Sequence, residues 1–78
     1  MAETRKNPIL EKFGKHIRAI RTIKGISQEV LASKAGVHRT YLGGIERGER
    51  NPSLKNIAAI AEALQVSLVE LFDFDKRY

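Results

Sequence analysis

Apolar residues recur at three- and four-residue spacing near the start of this 78-residue chain, with charged residues between them. This is the pattern of an amphipathic helix with one core-facing side. We predict that the helix follows Asn7 as a cap, has Pro8 in its first turn and ends at Gly25. Its core-facing residues are Leu10, Phe13, Ile17 and Ile20.

Two shorter helices are predicted next, each bounded by a cap and a glycine. Ser27 places a side-chain oxygen beside the free amides of a second helix, and Gly36 suits the left-handed conformation that ends it. His38 is predicted to cap a third helix, which Gly48 breaks. The apolar residues of the pair are Leu31, Ala32, Ala35, Val37, Leu42 and Ile45.

The remaining sequence predicts two more helices. Ser53 caps a fourth, whose apolar face is Leu54, Ile57, Ile60, Ala61 and Leu64. Ser67 and Glu70 have capping-box spacing and open a short fifth helix through Leu68, Leu71 and Phe72. Since no segment alternates apolar and polar residues, the predicted fold class is all-α, a compact domain of five helices with short connections.

The length leaves room for one hydrophobic core, in a chain that is 42% hydrophobic and 29% charged. We expect residues 1–7 to form a mobile N-terminal arm, residues 8–74 a single domain and residues 75–78 a short tail. The chain has no cysteine, so dimerisation is the remaining way to support so small a core. Zero cysteine also excludes zinc fingers and cysteine nucleophiles, and is typical of a reducing cytoplasm.

The net charge of +5 is concentrated near the start of the chain. Residues 1–25 carry seven Lys/Arg and two Glu, whereas residues 51–78 carry three Lys/Arg and four Asp/Glu. This gradient predicts a polyanion-binding surface and a separate self-association surface, with simple solvation of a small basic protein as the alternative. No apolar run approaches the ~18 residues that span a bilayer, and the start lacks a signal peptide's apolar stretch. We therefore expect a cytoplasmic protein with no membrane partner.

No catalytic or metal-binding pattern is visible. His16 and His38 are the only histidines, and neither has a cysteine or a closely spaced second histidine beside it. A glycine-rich phosphate loop, paired acid–base carboxylates and a Ser/His/Asp set are also missing. We expect no enzymatic activity, metal, cofactor or small-molecule ligand.

Residues 27–48 have the spacing of a helix-turn-helix, in which Ala32 allows close helix approach and Gly36 the sharp turn. Further strings stand in the same register, among them Arg21-x-x-x-Gly25-Ile26-Ser27-Gln28-Glu29, Ala35-Gly36-Val37, Ile45-Glu46-Arg47-Gly48 and Asn51-Pro52-Ser53-Leu54. With them the chain, over about residues 13–72, resembles the phage-repressor/Cro type of helix-turn-helix protein, also called the XRE family. The strings Arg39-Thr40-Tyr41 and Arg50-Asn51-Pro52 resemble the controller proteins of restriction-modification systems within that family.

The resemblance implies a transcriptional regulator that binds a pseudo-palindromic operator in double-stranded DNA as a homodimer. Each third helix would enter a major groove, with half-sites about 34 Å apart. The arginine fork of Arg39 would take guanine O6 and N7 together, a contact worth roughly 1 to 3 kcal/mol of discrimination. By position, the implied base-reading residues are Arg39, Thr40 and Arg50, and the implied phosphate-binding residues are Gln28, His38, Tyr41 and Arg47.

Simpler interpretations remain open for these residues. Arg39 and Thr40 could be solvated helix residues, Tyr41 a packing aromatic and Gln28 an ordinary first-turn residue. In the family, Arg21 and Glu46 stand where a buried ion pair often joins the first and third helices, and we interpret them as structural.

The chain departs from the family pattern in its third and fourth helices. Gly43 and Gly44 replace longer side chains, so the second half of the third helix is not expected to read bases, and close approach of its backbone to the DNA or the core is the simplest reason for them. Gln65 stands where a helix-ending glycine is usual.

The resemblance places self-association on the last helix. We expect Val69, Phe72 and Phe74 to form the dimer interface, and Leu68 and Leu71 to close the core of the monomer. An autoregulating controller protein competes with a phage-type repressor and with an antitoxin. From another class, a protein-interaction adaptor that kept the fold without binding DNA also stays open.

Overall fold

The computed structural model describes residues 7–74, which form five helices joined by short turns. The helices are α1 (Pro8–Ile23), α2 (Gln28–Ala35), α3 (Arg39–Glu46), α4 (Leu54–Leu64) and α5 (Leu68–Leu71). The predicted all-α fold is confirmed, and residues 7–74 contain no strand. The predicted tail (75–78) and all but the last residue of the predicted arm (1–7) lie outside the described residues. Within those residues no helix has both the length and the apolar character to cross a bilayer.

Short polar side chains cap the starts of four helices. Asn7 accepts a hydrogen bond from a backbone amide of α1, and Ser27, Ser53 and Ser67 do the same for α2, α4 and α5, at 2.9–3.1 Å. The prediction that His38 caps α3 is wrong: His38 occupies the N-cap position with extended backbone, but its side chain makes no cap hydrogen bond. An imidazole is not one of the short, oxygen-bearing side chains that turn back onto these amides.

The core lies where α1 packs on α3 and α5, and α2 packs on α3 and α4. Two leucines that were expected to be buried are exposed, since Leu54 is 74% and Leu68 is 44% accessible. Each is the first residue of its helix. Helical side chains point back toward the N-terminus, so a leucine at this position projects beyond the packed part of the helix. The buried apolar residues are Phe13, Ile17, Ile20, Leu31, Ala32, Leu42, Ile45, Ile60, Ala61, Leu64 and Leu71.

The orientation of α3 depends on a close crossing with α1 at Gly14. A Cβ atom on Gly14 would meet the backbone carbonyl of Ile45 and would lie 2.6 Å from the carbonyl oxygen of Glu46. Only glycine therefore fits at this crossing. On its other side α3 follows α2 after a turn in which Gly36 has a φ of 73°. These two glycines set the direction in which α3 presents its outer face.

Candidate nucleic-acid interface

The outer face of α3 begins at its N-terminus. Leu42 and Ile45 are buried in the core, whereas Arg39 and Thr40 are exposed. The C-cap of the helix, Arg47, is exposed as well. With 100° between successive residues of a helix, Thr40 and Arg47 lie on the same side, opposite the core. The structure thus leaves one arginine and one hydroxyl at the start of α3 free to meet a ligand, and a second arginine at its end.

Arg39 lies beside the first turn of α2. Its Nε is 3.5 Å from an Oε2 of Glu29, and the two side chains are 56% and 70% exposed. An ion pair so open to water contributes little to stability. It also leaves most of the guanidinium available to a partner.

A buried polar network fixes the two helices behind this face. Arg21 on α1 donates from Nε and Nη2 to the two carboxylate oxygens of Glu46 on α3, at 2.7 and 3.0 Å. A third donation runs from Arg21 Nη1 to the carbonyl oxygen of Ile26 at 2.9 Å. The hydrogen bonds that Arg21 donates to Glu46 raise the pKa of Arg21, while burial lowers it by a smaller amount. Arg21 and Glu46 therefore form a buried ion pair that joins α1 to α3.

Gln28 belongs to the same network. Its Nε2 donates to Oε1 of Glu46 at 2.9 Å, and its side chain is half-buried. The carboxylate of Glu46 thus accepts hydrogen bonds from α1 and from the first residue of α2. Gln28 was expected to reach a phosphate, and the structure holds its amide nitrogen inside the protein.

Tyr41 was interpreted either as a phosphate contact or as a packing aromatic, and its environment has features of both. Its ring is half-buried and packs against the core. Its hydroxyl accepts a hydrogen bond from Nδ2 of Asn56 at 3.2 Å, and the guanidinium carbon of Arg50 lies 5.9 Å from the ring centroid. The ring therefore packs, while its position beside Arg50 keeps it at the edge of the exposed face.

The residues after α3 add two exposed arginines. Arg47 pairs with Glu49, with 3.0 Å between Nε and Oε1, and Arg50 follows in the loop that leads to α4. His38 is exposed at the other end of the helix. Arg47 and Arg50 thus lie against the second half of α3, next to Gly43 and Gly44 respectively.

The surface around α5 is apolar. Val69 is 82% and Phe72 44% exposed. Phe72 stacks on Phe13 of α1 with 5.1 Å between ring centroids, and Phe74 is half-buried beside it at 6.1 Å. Val69 is thus the most exposed of the three side chains predicted for a dimer interface.

Sequence reasoning missed His16, which is only 6% exposed. Its Nε2 lies 2.8 Å from the carbonyl oxygen of Glu70, and its ring meets Phe74 edge-on at 5.8 Å. The histidine therefore joins α1 to the segment around α5. Its place three residues after Phe13 and four before Ile20 was the available signal, because this spacing belongs to the buried face of α1.

The sequence pattern of the helix-turn-helix family matches residues 17–71, which is more than half of the chain. This chain belongs to the helix-turn-helix family. It is 49% identical over 69 residues to the control protein C.BamHI of Bacillus amyloliquefaciens, covering 87% of this chain and 85% of that protein. The resemblance to controller proteins is thereby confirmed.

Two solved structures are similar to this helix-turn-helix protein. The restriction-modification controller protein C.AhdI from Aeromonas hydrophila superimposes with a TM-score of 0.83 and 52% identity, over 85% of this chain and 100% of that one. A mutant of C.Esp1396I bound to its highest affinity operator site gives 0.81 and 40%, over 87% and 90% of the two chains. In the helix-turn-helix arrangement α2 and α3 are the paired helices, and α3 corresponds to the recognition helix.

Proposed function

We propose that this protein is a transcription regulator that binds a pseudo-palindromic DNA operator as a homodimer and serves as the controller protein of a restriction-modification system. The observation that carries the proposal is the start of α3, where Arg39 and Thr40 project from a helix fixed by the buried Glu46 network. The similarity to control proteins, one of them solved on its operator, supports the same assignment. Autoregulation of its own gene is part of the proposal.

Arg39 is the principal base reader in this proposal. Its exposed guanidinium can take guanine O6 and N7 together in the major groove. Thr40 offers a hydroxyl to a base or a methyl group to thymine, and Arg50 is the second arginine within reach of base edges. The phosphate-side residues are His38, Tyr41 and Arg47, around the start and end of α3, and Gln28 at the start of α2, whose amide nitrogen has a second N–H besides the one that it donates to Glu46.

The proposed dimer uses the apolar surface around α5. Val69, Phe72 and Phe74 lie in the part of the chain that carries no excess of positive charge. Two copies that meet there would bury this surface and place their recognition helices about 34 Å apart, as successive major grooves require. In this assignment residues 8–74 form one DNA-binding domain whose last helix dimerises. The protein acts in the cytoplasm as a binding protein, with DNA and a second copy as its partners and no cofactor.

The test is selection of bound sites from random-sequence duplex DNA at two salt concentrations. We expect the unaltered protein to select a two-fold symmetric motif. We expect Arg39→Ala to lose one base preference in each half-site and about tenfold or more in affinity for the selected site, because the guanine contact is removed. Lys15→Ala is the matched control, since Lys15 is exposed on the side of α1 opposite its buried residues.

Three outcomes of the selection distinguish the proposed function from its alternatives. A symmetric motif that changes in Arg39→Ala and persists in Lys15→Ala supports the proposal. A motif unchanged by Arg39→Ala would move base reading to Thr40 and Arg50. Binding that selects no motif and only fades as salt rises would refute a sequence-specific regulator and favour an adaptor with a basic surface.

A further inference from the structure

Two glycines flank the exposed side of the recognition helix one turn after Thr40, and both are covered. Gly43 and Gly44 are buried although they lie beside the outer face of α3. The atoms nearest to an added Cβ on Gly43 belong to Arg47 and Gln28, and those nearest on Gly44 belong to Arg50. Each glycine is therefore covered by side chains from outside its own turn of helix.

The contact at Gly44 is the tighter of the two. A Cβ atom there would lie 2.6 Å from Cγ of Arg50, with Nε and Cδ at 3.5 and 3.7 Å. The base of the arginine side chain thus crosses directly over the helix backbone. Cγ is close to the main chain of Arg50, so it cannot swing away without moving the whole side chain.

The far end of Arg50 is positioned as well. Its guanidinium carbon lies 5.9 Å from the centroid of the Tyr41 ring. Asn56 on α4 donates to the Tyr41 hydroxyl at 3.2 Å and so fixes the ring. The backbone at Gly44 and the ring of Tyr41 thus form a binding surface on α3 for the side chain of Arg50.

We propose that Gly44 is a positioning residue for DNA specificity, because its missing side chain seats Arg50 across the recognition helix. The side chain of Arg50 then takes the place that a side chain at position 44 would hold, with its Cγ nearest to Gly44. This inference rests on the proposed DNA-binding function. Gly44 lies five residues after Arg39, about 7.5 Å along the helix axis.

The contact with Arg50 explains Gly44, one member of a glycine pair that costs helix stability. Each glycine in a helix interior is about 1 kcal/mol less favourable than alanine. The second half of α3 carries no long exposed side chain of its own, since Ile45 and Glu46 are buried, and base reading there was therefore unexpected. A side chain supplied by the following loop restores a hydrogen-bond donor at that place.

The experiment compares Gly44→Ala with Gly43→Ala, Arg50→Ala and the double variant Gly44→Ala/Arg50→Ala. The two glycine variants gain the same helix propensity. At Gly43 the added Cβ meets Nη1 of Arg47 at 3.1 Å, the far end of a flexible side chain that can move aside. The full-length variants are tested for thermal unfolding, for the motif selected from random DNA and for affinity to the wild-type motif.

We expect Gly44→Ala to melt no lower than the wild type and to lose the base preference that Arg50→Ala loses. Its affinity for the wild-type motif should fall by about tenfold, the effect of one lost bidentate base contact. Gly43→Ala should select the wild-type motif, because it displaces only the phosphate-side Arg47. In the double variant the Gly44→Ala change should add nothing, because residues acting through one contact are not additive.

Two results would overturn the inference. One is a Gly44→Ala motif and affinity equal to the wild type, and the other is a full Gly44→Ala effect in the Arg50→Ala background, which means that the added methyl group meets the DNA itself. If the selected motif depends on Arg39 but is unchanged in Gly44→Ala, this inference is refuted and the proposed function stands. A wild type without any motif refutes the proposed function and this inference with it.

Discussion

The carboxylate of Glu46 connects three helices through individual atoms. It accepts two hydrogen bonds from Arg21 and one from Gln28, and its side chain is only 2% exposed. A buried charge is tolerated when it is paired and its oxygens are satisfied, as they are here. The pKa of Arg21 is raised in the folded protein. Its stabilising contribution is therefore fully present below the ordinary arginine pKa and is lost only as pH rises through the higher folded value.

We predict that Glu46→Ala lowers the free energy of unfolding by about 3 kcal/mol, because it leaves Arg21 as an unpaired and largely buried charge. Urea denaturation measures the change. Glu49→Ala is the control, since its ion pair with Arg47 is exposed and should contribute less than about 1 kcal/mol. Equal losses in the two variants would contradict a structural role for the buried pair.

At the scale of secondary-structure elements, the backbone conformation at the helix ends affects stability. α2 ends at Gly36 with a φ of 73°, whereas α4 ends at Gln65 with a φ of 60°. Gln65 is the one non-glycine residue with positive φ between residues 7 and 74. A side chain in this left-handed conformation costs roughly 1–2 kcal/mol. In this conformation the backbone amides of Gln65 and Val66 donate to the carbonyl oxygens of Glu62 and Ala61, both at 3.0 Å, and close the end of α4.

We predict that Gln65→Gly raises the free energy of unfolding by about 1 kcal/mol, because glycine adopts the left-handed conformation without a Cβ clash. Gly36→Ala should lower it by a similar amount. An added Cβ at Gly36 has no heavy atom within 4 Å, so that variant reports on the backbone alone. Thermal denaturation of the two proteins checks the signs, and a loss of stability in Gln65→Gly would contradict this account of α4.

For the molecule as a whole, the basic residues and the proposed dimer surface lie in different parts of the chain. The basic residues are concentrated in the first part, whereas Leu68, Val69 and Phe72 form an exposed apolar group on or beside α5. Other exposed apolar residues stand apart from this group, namely Ile9, Ile23, Val30 and Leu54. Long-range attraction to DNA and self-association can therefore use different surfaces. This separation lets the proposed dimer form without covering α3.

We predict that Val69→Glu converts the proposed dimer into a monomer, because a charge buried in an apolar interface lacks a partner. Leu54→Glu is the matched control: Leu54 is 74% exposed on α4, and its replacement should leave the dimer intact. Sedimentation equilibrium measures both. Val69 is 82% exposed, so the monomer fold should tolerate the change. A Val69→Glu protein that stays dimeric would place the interface elsewhere.

Much of the fold follows from local sequence. Helical periodicity, the serine caps and the glycines after α1 and α2 predict the number and order of the helices, because caps and left-handed turns depend on residues near in sequence. The strings shared with the helix-turn-helix family predict that α3 is the DNA-facing helix. The exposure of Arg39 at its start also agrees with the sequence pattern.

Periodicity predicts which side of a helix faces the core, but it does not predict where the neighbouring helices end. For this reason Leu54 and Leu68 were expected in the core and are exposed. The burial of His16 against the carbonyl of Glu70 required α5 to return to α1, a contact across 54 residues.

Short-range spacing and caps are therefore enough to predict the set of helices, their approximate ends and their family. Which side chains meet depends on how the helices pack. The tertiary structure placed Gly14 at the α1–α3 crossing, Gln28 on Glu46 and Arg50 across Gly44. These contacts depend on the distance between packed helices and loops, which no pattern within one helix contains.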